Sequence, residues 1–491
     1  NFIATFIVTE NCNLNCKYCY QVKKDKKHVM SLDVAIKAID YIFENYSSYN
    51  SIIWDIIGGE PLLEIDLVDM MCDYIKLKMY REKHHWLYNY SINVSSNGIL
   101  YDKENVQRFV NKNRNMTTFV LSLDGNKQKH DSQRVRHDGT GSFDDVMKIV
   151  PKWLEDFVKS GVKCTYASDD LIYLKDSVIF LWNLGIKSVS ANFVYEDLYK
   201  EGDDVILENQ LKGLADYLID NNLYGEYSCS MLDDKIGTRL PDDVLDKNWC
   251  NSGDNTITVN YDGGLFPCIR FVSYSLSNKP EFKLGDIYNG VDPNILRPFK
   301  LLNYHSQVSE KCKSCNVIAG CGWCQALNYD DAPFDGIYYK VNYICKMHKA
   351  RCRASDYYYA KLKNKFNVRR DYFVARNRML FIMMENESAS FCDYKNTYNN
   401  NLKIPFETFK KGIDFAERNF LVPVILLGND QLDDSHLKRL EGMDFISISN
   451  LSNNMPFGDK ITILDVNNLD NISEQDGNIM LKVDKESIGN I

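Results

Sequence analysis

The chain has 491 residues, 45% of them hydrophobic and 25% charged, with a formal net charge of −9 and a pI near 5.5. That length predicts about three domains, and the composition predicts ordinary globular cores. The acidic balance, with no basic block beyond 23–27, argues against an electrostatic nucleic-acid binder. No apolar run approaches the ~20 residues of a membrane span, and no signal peptide is expected. A cytoplasmic location with no membrane partner is therefore expected. The chain opens at Asn1 rather than Met, directly on an apolar run, so residues ahead of it are expected to be missing.

In chain order, apolar spacing predicts a strand over 2–8, a helix over 31–46, a strand over 51–57 and a helix over 67–80. Strands over 90–94, 118–123 and 163–167 follow, then a helix over 176–184 and a strand over 189–194. Strand and helix in alternation imply parallel βα units. Six such strands are too few for a closed eight-stranded barrel, so the expected fold is α/β, as a partial barrel or an open sheet. Residues 210–365 carry nine of the fifteen cysteines with many turn signals and read as loop-rich, with a helix over 346–366. Beyond 370, strands over 379–384, 424–427, 445–449, 461–466 and 479–483, with a helix over 405–418 opened by a proline, read as a small α/β domain. The expected division is 1–205, 206–366 and 367–491.

Fifteen cysteines are the informative count. In a reducing cytosol disulfides are rare, so this density points to metal or redox chemistry. Cys12, Cys16 and Cys19 lie on the loop after the first strand. Three soft thiolates select zinc or iron–sulfur and leave one metal position open; a zinc site completed from elsewhere is the plainer alternative. Gly58, Gly59, Glu60 and Pro61 follow the second strand, at the carboxyl end where α/β folds bind ligands. Two glycines let backbone approach a ligand closely, and Glu60 can accept from an ammonium group. Cys250, Cys268, Cys312, Cys315, Cys321, Cys324 and Cys345 form a third constellation, whose paired C-x-x-C spacing also suits zinc. Cys72 and Cys164 sit in apolar patterns and read as core. Cys392, with no partner nearby in sequence, reads as structural.

Taken together, the Cys12/Cys16/Cys19 loop and the 58–61 turn resemble the radical S-adenosylmethionine (SAM) enzymes. The match continues through Ser95-Ser96-Asn97-Gly98, Ser122-Leu123-Asp124-Gly125, His130-Asp131-Ser132-Gln133-Arg134 and Gly141-Ser142-Phe143. These blocks look like the subgroup that modifies proteins and peptides, and the resemblance covers about residues 1–200. It implies a partial (β/α)6 TIM-like barrel in which Cys12, Cys16 and Cys19 hold a 4Fe–4S cluster whose open iron chelates SAM. By position, Tyr18 would contact the adenine, the turn of Gly58, Gly59, Glu60 and Pro61 the SAM amino group, Ser122 the ribose and Arg134 the carboxylate. The reduced cluster would cleave SAM to methionine and a 5′-deoxyadenosyl radical, which takes hydrogen from an unactivated carbon.

Behind such a core, the third constellation resembles the SPASM extension with two auxiliary 4Fe–4S clusters, three clusters in all. Cys312, Cys315, Cys321 and Cys345 would hold one; Cys250, Cys268 and Cys324 would hold the other. Two departures stand out. Cys321 and Cys324 are separated by two residues where the family usually has three, and the three-cysteine cluster has no evident fourth ligand. Cys229 could supply it, or an iron stays open to a substrate thiolate. Cys352 is an alternative to Cys345. Anaerobic sulfatase maturases share this cysteine layout, but where they carry an acid this chain has Ile269, followed by Arg270. Residues 378–394 and the 405–418 helix resemble the maturases of CXXX-repeat peptides. The resemblance thus implies a ribosomal precursor peptide as substrate and a sulfur-to-carbon thioether as product, with epimerisation, carbon–carbon cross-linking and sulfatase-type oxidation as alternatives. A zinc-stabilised scaffold is the non-enzymatic alternative. Expected partners are an electron donor such as flavodoxin or ferredoxin and a companion maturase, with the C-terminal domain binding precursor or partner.

Overall fold

The computed structural model describes residues 1–237, 248, 250–307, 309–313, 315, 317–318, 321–370, 378–384, 403–428, 431–449, 456, 458–465 and 478–482. Strands β1 (Phe2–Ile7), β2 (Ile52–Ile57), β3 (Tyr90–Ser96), β4 (Thr117–Ser122), β5 (Val162–Tyr166) and β6 (Ser188–Phe193) form where the apolar runs place them. They pair in parallel in sequence order. Helices α1 (Leu32–Tyr46), α2 (Ile65–Arg81), α3 (Glu104–Asn113), α4 (Lys127–Gln133), α5 (Phe143–Asp156), α6 (Leu174–Asn183) and α7 (Asp203–Asp220) provide the crossovers. Ser31 starts α1 by accepting from Val34 N at 3.2 Å. Ala35, Ala38, Ile39, Ile42 and Phe43 then share its buried face.

Each strand presents one apolar face to the helices. On β2 this face is Ile52, Trp54 and Ile56, all buried, with Trp54 stacked on Phe43 at 5.7 Å. The other face is polar at its centre. In register across three strands, Thr5 and Asn93 both donate to Asp55. Period-two alternation therefore sends aromatic bulk outward to the helices and carboxylate, amide and hydroxyl groups inward.

The sheet exceeds the six strands expected. β7 (Ser228–Cys229) extends it beyond β6, and β8 (Thr256–Val259) pairs in parallel with β1 at the opposite side. β9 (Gly264–Phe266), β10 (Gly285–Asp286) and β11 (Gly290–Val291) continue antiparallel, giving eleven strands. The cysteine-rich region is thus built onto the same sheet and is less loop-like than its composition implies. Asp262, Gly263 and Gly264 turn the β8–β9 hairpin, with Gly263 at φ +89°. The expected boundary at 205/206 falls inside α7. Helix Cys345–Phe366 packs against α7 through Arg353–Glu208 at 2.6 Å and Lys361–Asp216 at 2.7 Å.

Among the described residues from 378 onward, a second sheet of five parallel strands runs in sequence order: β12 (Met379–Met383), β13 (Val422–Gly428), β14 (Ile446–Ser449), β15 (Asp459–Asp465) and β16 (Asn478–Lys482). Pro423 is tolerated in β13, which is paired on both sides. Val422 N takes the carbonyl of Arg378 on the β12 side, and β14 pairs only from Val424 onward, so no ladder bond is lost at Pro423. Pro405 caps helix Phe406–Arg418 from outside rather than opening its first turn. Cys392, with the rest of 385–394, lies outside the described residues.

Candidate active site

The sequence blocks that follow β1, β2, β3 and β4 converge at the carboxyl edge of the parallel sheet, the usual ligand edge of such folds. The cysteine loop is held from two sides. On one, Gly59 N donates to Thr9 O at 2.7 Å and Glu60 N to Asn11 O at 2.8 Å. A Cβ on Gly58 would sit 2.4 Å from Thr9 O, and one on Gly59 2.3 Å from Asn11 O. The glycine pair thus leaves room for the chain's own loop. On the other side, Asn15 N donates to Val135 O and Lys17 N to Gln133 O. His137 Nε2 lies 2.9 Å from Cys12 O, and Asn97 Nδ2 donates to Asn13 Oδ1 at 2.7 Å.

Glu60 is fully engaged. Its carboxylate accepts from Ser96 Oγ (2.7 Å), Asn97 N (2.8 Å) and Leu62 N (3.1 Å), which counter a burial that raises its pKa. Pro61 is buried at the start of the single turn Pro61–Glu64. Ser122 ends β4, half-buried and in register with Lys163. Tyr18 donates its hydroxyl to Asp124 Oδ2 at 2.7 Å. Arg134 lies 3.1 Å from Asp124 Oδ1, with its guanidinium 5.4 Å from the Tyr18 ring centroid.

Asp124 is the residue that sequence reasoning passed over. It is wholly buried and also meets the wholly buried Lys129 at 3.5 Å. Lys129 in turn pairs with Asp170 at 3.1 Å and donates to Thr165 O. Burial pushes the Asp124 carboxyl up, but Arg134 and Lys129 outweigh it and bring its pKa down to about 2. The signal was present in the Ser122–Gly125 block, where an acid follows the strand directly, though no role had been attached to it.

Burial pushes the Cys12 thiol up to about 11 and raises that of Cys16. Lys24 Nζ lies 3.7 Å from Cys19 Sγ. The third constellation divides in two. Cys321, also pushed up by burial to about 11, has Cys345, Cys312 and Cys315 as charge neighbours. Cys268, strongly raised by burial, has Cys324 and Cys250. Cys229 is buried on β7 beside Cys164 and Tyr166 and outside that second group. Cys72 and Cys164 are buried as expected, and so is Cys352, whose Sγ lies 3.4 Å from His348 Nε2.

The donor chemistry fits iron–sulfur clusters: three soft sulfurs on one loop, four in one group and three in another. Desolvated thiols resist ionisation alone, and a cationic group among them reverses that preference. Among the described residues no three His, Cys, Asp or Glu side chains close on a single ion-sized point. A lone zinc ion would need sulfurs about 3.8 Å apart.

A cavity of about 420 Å³ opens beside Cys19. Its walls include Cys19 and Tyr20 from the loop, Glu196 beyond β6, and Arg270 and Leu327 from the cysteine-rich region. Among the described residues, no helix is long and apolar enough to cross a membrane.

Residues 6–167 match the family model described as the Radical SAM superfamily. The serine-type anaerobic sulfatase-maturating enzyme of Bacteroides thetaiotaomicron is 23% identical over 367 residues, covering 68% of this chain and 84% of that protein. The antilisterial bacteriocin subtilosin biosynthesis protein AlbA of Bacillus subtilis is 24% identical over 331 residues, 65% of this chain and 66% of that one. A solved structure, native anSMEcpe with bound AdoMet, shares the fold at a TM-score of 0.56 and 20% identity, over 72% of this chain and 97% of that one. Residues 6–167 are thus a radical SAM domain, and the chain is an enzyme of the radical SAM superfamily, whose members use a 4Fe–4S cluster and S-adenosylmethionine.

Proposed function

We propose that the chain is a peptide maturase that links a cysteine sulfur to a carbon of a ribosomally made precursor. The observation that carries this reading is the cavity between Cys19 and Arg270, whose Nη1 lies 3.6 Å from Cys324 Sγ. One wall belongs to the loop that would bear the radical-generating cluster, and another adjoins the group of Cys250, Cys268 and Cys324, which has no fourth cysteine among the charge neighbours of Cys268 in the described residues. A peptide cysteine held there has its sulfur fixed beside the reacting carbon, and proximity of that kind lowers a barrier by several kcal/mol.

In this reading Cys12, Cys16 and Cys19 hold the first 4Fe–4S cluster. Tyr18, Ser122, Arg134 and the turn of Gly58, Gly59, Glu60 and Pro61 face S-adenosylmethionine. When bound, these groups supply hydrogen-atom abstraction from an unactivated carbon. Cys312, Cys315, Cys321 and Cys345 hold a second cluster; Cys250, Cys268 and Cys324 hold a third with one open iron. Cys229, tied into the β7 neighbourhood, is not its fourth ligand. An external donor such as flavodoxin or ferredoxin supplies the electron, and residues 367–491 recognise the precursor or a companion maturase.

Sulfatase-type oxidation has the Bacteroides relative in its favour. Against it stands Ile269 where those enzymes carry an acid, with the cation Arg270 next to it. Mass spectrometry separates the outcomes. With a cysteine-bearing precursor, reductant and SAM, one 5′-deoxyadenosine should form per peptide that loses two hydrogens and whose thiol no longer alkylates. A modified peptide with its thiol still free points to epimerisation or carbon–carbon linkage. No 5′-deoxyadenosine at all contradicts the reading.

A further inference from the structure

Arg270 holds an unusual position. It lies two residues after Cys268 and lines the cavity that also touches Cys19. Its guanidinium makes three contacts of different kinds. Nη1 donates to Cys324 Sγ at 3.6 Å, Nη2 is paired with Glu196, and the plane lies 4.7 Å from the Tyr20 ring centroid. The side chain is 17% exposed, whereas Glu196 is 36% exposed. The outer edge of the cation is therefore compensated by a carboxylate near the cavity mouth, while its inner edge faces sulfur. Of the auxiliary cysteines, the cation's charge neighbour is Cys324.

We propose that Arg270 anchors the substrate: the thiolate of a peptide cysteine enters beside Tyr20, pairs with the guanidinium and comes to rest against the Cys250/Cys268/Cys324 group. The inference rests on the reading of that group as cluster ligands. A guanidinium presents several N–H donors in a fixed plane and stays charged, so it favours an anion over a neutral group of the same size. A cation beside a thiol favours the thiolate form. Serine, whose hydroxyl stays neutral, gains nothing comparable. Arg270 thereby sets specificity for cysteine over serine.

The test uses iron–sulfur-loaded protein carrying C12A, C16A and C19A, so that only the auxiliary signal is recorded. N-acetylcysteine methylamide is titrated in, with N-acetylserine methylamide as comparison, and electron paramagnetic resonance of the reduced protein is followed. The cysteine probe should shift the auxiliary signal and the serine probe should not. R270Q should weaken the cysteine response about tenfold or more, the scale of one charge-assisted hydrogen bond, and R270K should restore part of it. Iron content equal to that of the parent shows that R270Q keeps its fold and clusters. An equal cysteine response in parent and R270Q, or an equal response to both probes, overturns the role of Arg270 alone. Absence of iron from the C12A/C16A/C19A protein overturns the cluster reading and this inference together.

Discussion

Replacing Gly59 with alanine is expected to empty the N-terminal cysteine loop of iron while the cysteine-rich region stays loaded. The added Cβ would stand 2.3 Å from Asn11 O and 2.5 Å from Glu10 O. Both are backbone atoms, so no side chain can rotate away. An ordinary overpacked site costs about 1–3 kcal/mol and relaxes by small shifts. Here the nearest means of relief is to part the exits of β1 and β2, and Asn11 immediately precedes Cys12. Iron should fall from about twelve to about eight per chain, a loss equal to one 4Fe–4S cluster. SAM cleavage should fall below detection. Gly139 provides the control. It has φ +84° with nothing within 4 Å of a new Cβ, so G139A meets backbone strain of about 1 kcal/mol and should keep its iron. Full iron in G59A would mean that the loop is not held by the glycine pair.

Asp124→Asn should have the second large effect, this time on stability. The carboxylate is wholly buried with two cations, Lys129 and Arg134, and takes the Tyr18 hydroxyl. Removing one partner from a buried charge network costs about 3–5 kcal/mol, because the remaining charges lose their compensation. Lys129 keeps Asp170, so most of the loss falls on Arg134 and on the anchoring of Tyr18 to the sheet. The melting temperature should fall by about 10 °C. Adding Arg134→Met should recover part of that fall, since the pair is coupled; strict additivity would show that the two do not act together. The carboxyl's low pKa, about 2 against a reference of 3.8, gives the pH sense. Its contribution is complete above the reference value and is lost as pH falls through about 2.

Much of this was legible in the sequence because it is local. The βα alternation to residue 194 reproduces each of the six strands to within a residue or two, since period-two and helical spacing are properties of short windows. The partition of seven cysteines into a group of four and a group of three came from resemblance, and the charge neighbourhoods of Cys321 and Cys268 divide the same way. What escaped is non-local. β8 lies more than 240 residues from β1 in sequence yet pairs with it, and a strand of four residues carries too little pattern to announce such a partner. Asp124 draws its importance from Tyr18, Lys129 and Arg134, which approach it only in three dimensions. The glycine pair was recognised as a place of close approach, but the backbone of Thr9 and Asn11 as its neighbour is a contact made only in three dimensions.

The central claim is that three cysteine groups hold three clusters, the first of them on the Cys12/Cys16/Cys19 loop. Counting iron and sulfide in anaerobically purified protein, beside the C12A/C16A/C19A variant, tests it most directly. About twelve iron falling to about eight is the predicted result. Near-zero iron with stoichiometric zinc after anaerobic reconstitution, or a variant that keeps all its iron, would contradict it.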